Sequence, residues 1–173
     1  MRSFLFLIAV LTAPAQVKFS DIVAGNGADW LTYAGDYRAH GLSPLRQITP
    51  ENAKNLQAKW TFQVPKANGL RTRPLVHAGV LYATTSHALY ALDARSGRLI
   101  WQYVEPPPAK DAVNRGAAIL GDKVYFATAD CYLVALDRRS GGVYWRSRFG
   151  QTEDGLFSSA APLAIDGKII VGV

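Results

Sequence analysis

Three histidines and one cysteine are the side chains of this chain best suited to metal binding, nucleophilic attack or proton transfer. His40, His77 and His87 stand apart in the sequence and show no zinc-site spacing. Cys131 has no nearby histidine pattern of a catalytic thiol, and as a single cysteine it cannot form an internal disulfide. We therefore expect the histidines at strand ends or in solvent, and Cys131 as a partly buried packing residue.

Two aspartates recur in the same short pattern, Asp93-Ala-Arg-Ser-Gly97 and Asp137-Arg-Arg-Ser-Gly141. Calcium needs several converging oxygen ligands, whereas a single Asp that opens a turn accepts hydrogen bonds from nearby backbone N–H groups. A following Gly supplies the positive φ that closes the hairpin. The pattern favours turns over metal ligands, and the sequence has no Ser/His/Asp set or glycine-rich phosphate loop beside it.

These turns belong to a repeat. The stretch Ala91-Leu-Asp-Ala-Arg-Ser-Gly-Arg-Leu-Ile-Trp101 returns 44 residues later as Ala135-Leu-Asp-Arg-Arg-Ser-Gly-Gly-Val-Tyr-Trp145. Before it, Val80-Leu-Tyr-Ala-Thr84 matches Val124-Tyr-Phe-Ala-Thr128 at the same shift. A period of about 40–45 residues is typical of a propeller blade or a related repeat unit.

Each unit predicts four short antiparallel strands, because β-branched and aromatic runs alternate with turn residues. The first unit covers 73–77, 80–85, 88–92 and 99–103; the second covers 117–120, 124–128, 132–136 and 143–148; a third begins with 161–165 and 168–173. Runs such as Leu89-Tyr-Ala-Leu92 are apolar on both faces, so each small sheet should pack between neighbours, as in stacked blades.

The residues before the first unit predict three further features. Residues 1–15 read as a signal peptide, with Arg2, an apolar run and Ala13-Pro-Ala15. Residues 16–28 read as a flexible lead-in to a partial propeller over 29–173. Within that part, Thr49 as N-cap and Pro50 predict a short helix over 49–56, and residues 56–64 predict a strand without partners in its own unit.

Composition narrows the functional classes. The net charge is +6, but the basic residues are scattered through turns, so we expect no nucleic-acid partner. The apolar run near the start is too short to span a bilayer, which predicts no transmembrane segment and, with the signal, a periplasmic or secreted protein. Closed propellers have 4–8 blades, so we expect an N-terminal fragment of a longer protein; the alternative is a complete small β domain.

The sequence resembles the N-terminal part of the pyrroloquinoline quinone (PQQ)-dependent alcohol dehydrogenases. Trp30-Leu-Thr-Tyr-Ala-Gly-Asp-Tyr37 with Leu42-Ser-Pro-Leu45 looks like the opening of that family, and Ile48-Thr-Pro-Glu-Asn-Ala-Lys-Asn-Leu56 with Trp60 like its next segment. The two Ala-x-Asp-x-x-Ser-Gly-x-x-x-Trp runs look like its tryptophan-docking motif, and Val113-Asn-Arg-Gly116 like a stretch that lines its cofactor pocket.

The resemblance implies a fold and two site residues. The fold is all-β: an incomplete β-propeller of the quinoprotein alcohol dehydrogenase type, with four-stranded antiparallel blades tied together by Trp101 and Trp145. Arg115 matches the cofactor-binding arginine of the family, with a structural ion pair as its alternative. Ser159 falls where the family often has a threonine that touches the cofactor.

The chain also departs from the family. A cysteine pair of the family is replaced by Ala109-Lys110, and an acidic residue by Arg71. The resemblance places the calcium ligand and the catalytic aspartate after Val173. We therefore expect no catalytic or metal-binding residue in this chain, and we expect neither PQQ nor calcium to be bound by this chain alone.

Two functions follow. The first is the front portion of an exported PQQ-dependent alcohol or sugar dehydrogenase, inactive by itself, whose partner is the missing blades or another chain. A small alcohol or sugar is its substrate only in the full propeller. The second is a non-catalytic propeller with an empty cofactor pocket that serves as a binding or assembly scaffold. The substrate, the electron acceptor and the oligomeric state stay open.

Overall fold

The computed structural model describes residues 16–25, 27–65, 70–105 and 113–173. The predicted signal peptide, residues 1–15, and the replacement at 109–110 lie outside the described residues.

Two four-stranded antiparallel sheets make up most of the described chain. In both sheets the strands are arranged in sequence order, and each strand pairs with the next one along the chain. The first sheet consists of β1 (Leu75–His77), β2 (Val80–Thr84), β3 (Ala88–Asp93) and β4 (Leu99–Val104). The second consists of β5 (Ala118–Leu120), β6 (Lys123–Ala127), β7 (Tyr132–Asp137) and β8 (Val143–Arg148). The predicted four-stranded antiparallel units are thereby confirmed.

A third unit begins with the hairpin β9 (Leu163–Ile165) and β10 (Lys168–Ile170). The pairing is short but follows the pattern of β1–β2 and β5–β6. Ala164 of β9 is buried in the same core cluster as Ile119 of β5. The hairpin therefore continues the series of sheets from the second one.

The repeat spacing changes by one residue within the unit. Tyr82 and Tyr125, which are 43 residues apart, oppose Ala91 and Ala135, which are 44 apart. The match of Val80 to Val124 at a shift of 44 is therefore wrong, because Val80 corresponds to Lys123 in the ladder. The additional residue lies in the turn between β6 and β7, where Cys131 takes a positive φ of 64°. A turn can accept an insertion that a paired strand cannot, since a one-residue slip reverses which face each side chain occupies.

The middle strands form the core, as their composition predicts. β3 is buried over its first five residues, and β7 is buried from Leu133 to Leu136. Side chains of both sheets join in one cluster that includes Leu89, Phe126 and Val134. Apolar residues on both faces of β3 and β7 are satisfied because each face meets a neighbouring layer.

Tryptophans join successive layers at their turns. Trp101 Nε1 donates a hydrogen bond to the Arg138 carbonyl, and Trp60 Nε1 donates one to the Ala94 carbonyl, both at 3.1 Å. Each indole lies against a turn glycine, Gly141 or Gly97, which has a positive φ. Because a Cβ on either glycine would stand within 2.6 Å of an indole carbon, these turns need both the backbone freedom and the space that glycine provides.

The segment predicted as a flexible lead-in holds secondary structure instead. A short helix, α1 (Phe19–Ala24), follows Val17, which pairs with Gly121 through two backbone hydrogen bonds of 3.0 and 2.7 Å. Val17 and Ile22 are buried in the main core. The segment folds because Val17 and Ile22 pack against the main core, a tertiary contact that could not be predicted from the segment's own sequence.

Residues 49–64 also differ from expectation. In place of the helix predicted over 49–56 there is a single 3₁₀ turn, Ala53–Asn55, after a turn closed by the Thr49 carbonyl. Residues 56–64 form no strand. Trp60, Phe62 and Val64 nevertheless pack on Ala88, Tyr90 and Leu92 of β3. The side-chain pattern of a strand is present, but the segment pairs with none of the described strands.

Candidate functional site

Three short segments that precede the first strand of each unit meet at one end of the sheets. The Arg73 N–H donates to the Arg115 carbonyl at 3.0 Å. Arg115 Nη1 in turn donates to the Ser159 carbonyl at 3.1 Å and to Ser159 Oγ at 2.5 Å. The structure therefore brings together both residues that the resemblance singles out, Arg115 and Ser159.

The guanidinium of Arg115 keeps binding capacity. Arg115 is exposed, and no carboxylate among the described residues forms an ion pair with it, whereas Arg38, Arg146 and Arg148 each have a carboxylate partner. A guanidinium has five N–H donors, and the contact to Ser159 occupies one nitrogen. Because Ser159 Oγ accepts from Arg115, its own proton is free to be donated. The pair therefore presents a positive charge together with unused hydrogen-bond donors.

Asn114 fixes the backbone around Arg115. Its side chain is 4% exposed, and all of its polar groups are bonded. Oδ1 accepts from Thr84 Oγ1 at 2.6 Å and from the Gly116 N–H at 2.9 Å, and Nδ2 donates to the Ala127 carbonyl at 2.8 Å. Sequence reasoning did not select Asn114, since the motif Asn-Arg-Gly carries no sign that its amide is buried.

An open groove borders the pair on one side. Ser159 lines it together with residues of the same segment and of the chain end, namely Gly155, Leu156, Phe157, Ala160, Gly172 and Val173. Most of these side chains are apolar, so the cationic pair stands beside an apolar wall. Such a combination suits a flat ligand that has anionic groups at its rim.

A second polar cluster lies between the two sheets. Glu105, which follows β4, is 7% exposed and accepts hydrogen bonds from Tyr103 Oη at 2.6 Å and Arg146 Nε at 3.1 Å. Arg146 also lies over the ring of Tyr132, 3.2 Å from its centroid. Burial and the adjacent Glu105 carboxylate raise the pKa of Tyr103. All of these groups contact one another, so the cluster links the end of the first sheet to the outer strand of the second.

The two recurrent aspartates are turn residues, as predicted. Asp93 Oδ1 accepts from the Arg95 and Ser96 N–H groups and from Ser96 Oγ, and Asp137 Oδ1 does the same with Arg139 and Ser140. The hydrogen bonds from Ser96 lower the pKa of Asp93. Across the described part of the chain, no three His, Cys, Asp or Glu side chains converge to hold a metal ion.

The remaining reactive side chains named here are either paired with a polar neighbour or buried. His77 Nδ1 lies 2.9 Å from Asp29 Oδ2, and His87 Nδ1 lies 3.1 Å from Ser86 Oγ. Cys131 is fully rather than partly buried, and burial raises the pKa of its thiol. The pairing of His77 with Asp29 spans 48 residues, so no local pattern could have revealed it.

Comparison with known proteins assigns the family. The model of the PQQ glucose/ethanol/alcohol dehydrogenase β-propeller domain matches residues 30–172. The chain belongs to this family. The all-β class and the incomplete propeller with four-stranded antiparallel blades are thereby confirmed.

Individual relatives support the same family assignment. The 1-butanol dehydrogenase (quinone) of Thauera butanivorans is 42% identical over 91% of this chain and 27% of its own length. The solved quinohemoprotein alcohol dehydrogenase ADHIIG of Pseudomonas putida HK5 superposes with a TM-score of 0.85, at 33% identity, over 92% of this chain and 25% of that one.

A europium-containing methanol dehydrogenase superposes with a TM-score of 0.78, at 26% identity, over 88% of this chain and 29% of the other. The chain thus spans about a quarter of the length of the relatives it matches.

In the part that the structure describes, no helix has the length and apolar character needed to cross a membrane.

Proposed function

We propose that this chain forms the front part of an exported PQQ-dependent alcohol or sugar dehydrogenase, in which Arg115 and Ser159 bind the cofactor. The observation that carries the proposal is the contact of the Arg115 guanidinium with Ser159, beside an apolar groove and without a carboxylate partner among the described residues. Residues 1–15 support export, since they have the charge, apolar run and small-residue site of a signal peptide.

The donors at this site fit PQQ, which is a polyanionic quinone. A planar guanidinium can bind a carboxylate through two parallel N–H···O bonds, and the Ser159 hydroxyl adds a third donor. When bound, PQQ supplies the hydride acceptor of the family's chemistry. The residues of this chain hold and orient one edge of it, and the groove beside Ser159 offers an apolar wall.

Calcium and the base have to come from elsewhere in the proposed enzyme. The described residues have no cluster of metal-ligating side chains, and the relatives are about four times longer than the region they share with this chain. We therefore expect the calcium ligands and the catalytic aspartate to be contributed by further blades, from the same protein or from another chain.

Enzyme assays test this division of labour. The purified 173-residue chain, supplied with PQQ and calcium, is expected to give no dye-linked oxidation of ethanol, 1-butanol or glucose. The full-length protein, meaning the longest product that the gene encodes, is expected to oxidise at least one of them in a PQQ-dependent way. Turnover by the 173-residue chain itself would contradict the proposal.

A non-catalytic scaffold is the second candidate, and Arg71 favours it. Arg71 is exposed and lies two residues before Arg73, whose N–H bonds to Arg115. Arg71 is a cation at a sequence position where relatives are expected to have an acid. If the full-length protein binds no PQQ and oxidises no alcohol or sugar, the scaffold is the better account.

A further inference from the structure

A continuous chain of buried and part-buried hydrogen bonds links the first sheet to the turn that contains Arg115. Thr72 Oγ1 and Thr84 Oγ1 are 2.9 Å apart, and Thr84 Oγ1 donates to Asn114 Oδ1 at 2.6 Å. Since a hydroxyl has one proton, Thr84 must accept from Thr72. Asn114 Nδ2 then donates to the Ala127 carbonyl at the end of β6. The direction of every bond is thereby set, and the chain runs from the first unit into the second.

Two hydrogen bonds hold the backbone at Arg115, and one of them is made by the Asn114 side chain. Its Oδ1 accepts from the Gly116 N–H, which closes an Asx-turn with Arg115 as the middle residue. The Arg115 carbonyl is held from the other side by the Arg73 N–H. Asn114 and Gly116 are buried, whereas Arg115 is exposed. The turn therefore has one outward side chain, the guanidinium.

Gly116 is a required part of this arrangement. Its φ is +146°, and a Cβ there would stand 3.0 Å from the Arg73 carbonyl oxygen. A side chain would press on the segment that bonds to the Arg115 carbonyl. The close approach of 73 and 116 thus depends on the same Asx-turn that Asn114 closes.

We propose that Asn114 is a positioning residue for Arg115: its carboxamide, oriented by Thr84, fixes the direction in which the guanidinium meets an anionic ligand. The ligand part of this inference rests on the function proposed above. The positioning part concerns the free protein and stands independently. Neither Asn114 nor Thr84 needs to touch the ligand.

The test compares two threonines that differ in their connection to Asn114. Thr84 and Thr128 are each 1% exposed, and both precede the turn between the second and third strand of their sheets. Thr128 Oγ1 bonds to Asp130 and to the Tyr132 N–H instead. Thr84→Val and Thr128→Val therefore each remove a buried hydroxyl, but only Thr84→Val removes a hydrogen bond to Asn114. Thr84→Ser keeps the hydroxyl and serves as the conservative rescue.

Two measurements on the full-length protein without ligand decide the positioning claim. Thr84→Val is expected to speed hydrogen exchange at the Gly116 and Arg73 amides by about tenfold, as loss of one hydrogen bond allows. It is also expected to shift the Arg115 Nε–H resonance. Thr128→Val should change neither, and Thr84→Ser should match the wild type. If Thr84→Val does not fold, Thr72→Val is expected to give a smaller change of the same kind.

Equal effects of Thr84→Val and Thr128→Val, or an unmoved Arg115 resonance in Thr84→Val, would overturn the inference. A PQQ titration of the same proteins then separates it from the proposed function. Binding to the wild type that weakens in Thr84→Val and not in Thr128→Val supports both. Failure of the wild type to bind PQQ rejects the proposed function, while the exchange data still decide the role of Asn114.

Discussion

Asp137 illustrates how a carboxylate in this chain stabilises a turn. Burial opposes ionisation, but hydrogen bonds from the Ser140 and Arg139 amides and from the Ser140 and Tyr144 hydroxyls outweigh it, so the pKa of Asp137 is lowered. The carbonyl of the next residue, Arg138, accepts the Trp101 bond. The ionised side chain therefore supports the contact between two blades.

A pH prediction follows at this residue. A carboxyl with a lower pKa in the folded state stabilises the fold above its unfolded pKa, about 4, and loses that contribution as pH falls through the folded value. Asp137→Asn is expected to lower the free energy of unfolding by about 1 kcal/mol at pH 7. The difference from wild type should shrink below about pH 4, as measured by urea unfolding at several pH values.

Asp154→Asn is the matched control, since it removes an exposed carboxylate outside the repeat turns. It should unfold like the wild type throughout. A stability difference for Asp137→Asn that stays constant from pH 7 to about pH 3 would contradict the role assigned to its ionised form.

Residue types and spacing predicted the turn role of Asp93 and Asp137, because that role depends on neighbours within four residues. The family resemblance selected Arg115 and Ser159, and the structure places them in contact. The role of Asn114 could not be predicted, because its partners Thr84 and Ala127 lie 30 and 13 residues away. Whether Arg115 and Ser159 bind a cofactor stays a prediction.

At the scale of the element, the turn after each third strand meets a tryptophan of the preceding layer. A glycine in such a turn can be needed for its positive φ or for the space beside the indole, and a comparison of Gly141 with Gly121 distinguishes the two. Both have a positive φ, 74° and 65°, but only at Gly141 would a Cβ collide with Trp101, at 2.6 Å from Cε3; nothing lies within 4 Å at Gly121. The docking contact is thus distinct from backbone strain.

Gly141→Ala is expected to destabilise the protein more than Gly121→Ala. Each pays about 1 kcal/mol for the left-handed conformation, and Gly141→Ala adds the displacement of the indole from Arg138, for a further 1–3 kcal/mol or so. Urea unfolding measures the free energies, and the emission of Trp101 should shift to the red. Equal losses in both variants would show that the close approach of Trp101 does not matter.

A strand was predicted over 56–64 where none forms, but the strands that do form were predictable to within two or three residues, since each has its own pattern and turn signals. The helix α1 and the 3₁₀ turn Ala53–Asn55 were not. Both are too short to have a period of their own, and the first depends on burial of Val17 and Ile22 against distant residues. The one-residue insertion near Cys131 was missed because Ala83-Thr84 and Ala127-Thr128, just before the turn, are identical and so favour a shift of 44 instead of 43.

At the scale of the whole molecule, the layers differ in how well they are covered. Trp101 is 8% exposed, whereas its counterpart Trp145 is 41% exposed and Val143 and Tyr144 beside it are about half exposed. Trp145 packs on Tyr125 as Trp101 packs on Tyr82, with ring centroids 6.0 Å apart in both pairs. The outer strand of the second blade thus exposes its tryptophan as well as its other apolar side chains, whereas in the first blade the tryptophan is covered.

We expect the 173-residue chain to self-associate or to require a partner, because an exposed apolar strand surface of this kind favours association. Sedimentation velocity should show species larger than the monomer at micromolar concentrations. Tyr144→Lys with Val143→Thr should reduce them, while changes at the exposed turn residues Arg95 and Arg139 should not. A clean monomer for the wild-type chain would contradict this expectation.

The most direct test of the account is a titration of the full-length protein with PQQ in the presence of calcium, in which binding is measured by the quenching of tryptophan fluorescence. Arg115→Lys keeps the charge but loses the bidentate fork, and Arg139→Lys makes the same change in an exposed turn. The account predicts that Arg115→Lys weakens binding by about tenfold or more, the loss expected for one charge-assisted hydrogen bond, and that Arg139→Lys binds like the wild type. Equal affinity of Arg115→Lys and wild type would contradict the assignment of Arg115 to the cofactor.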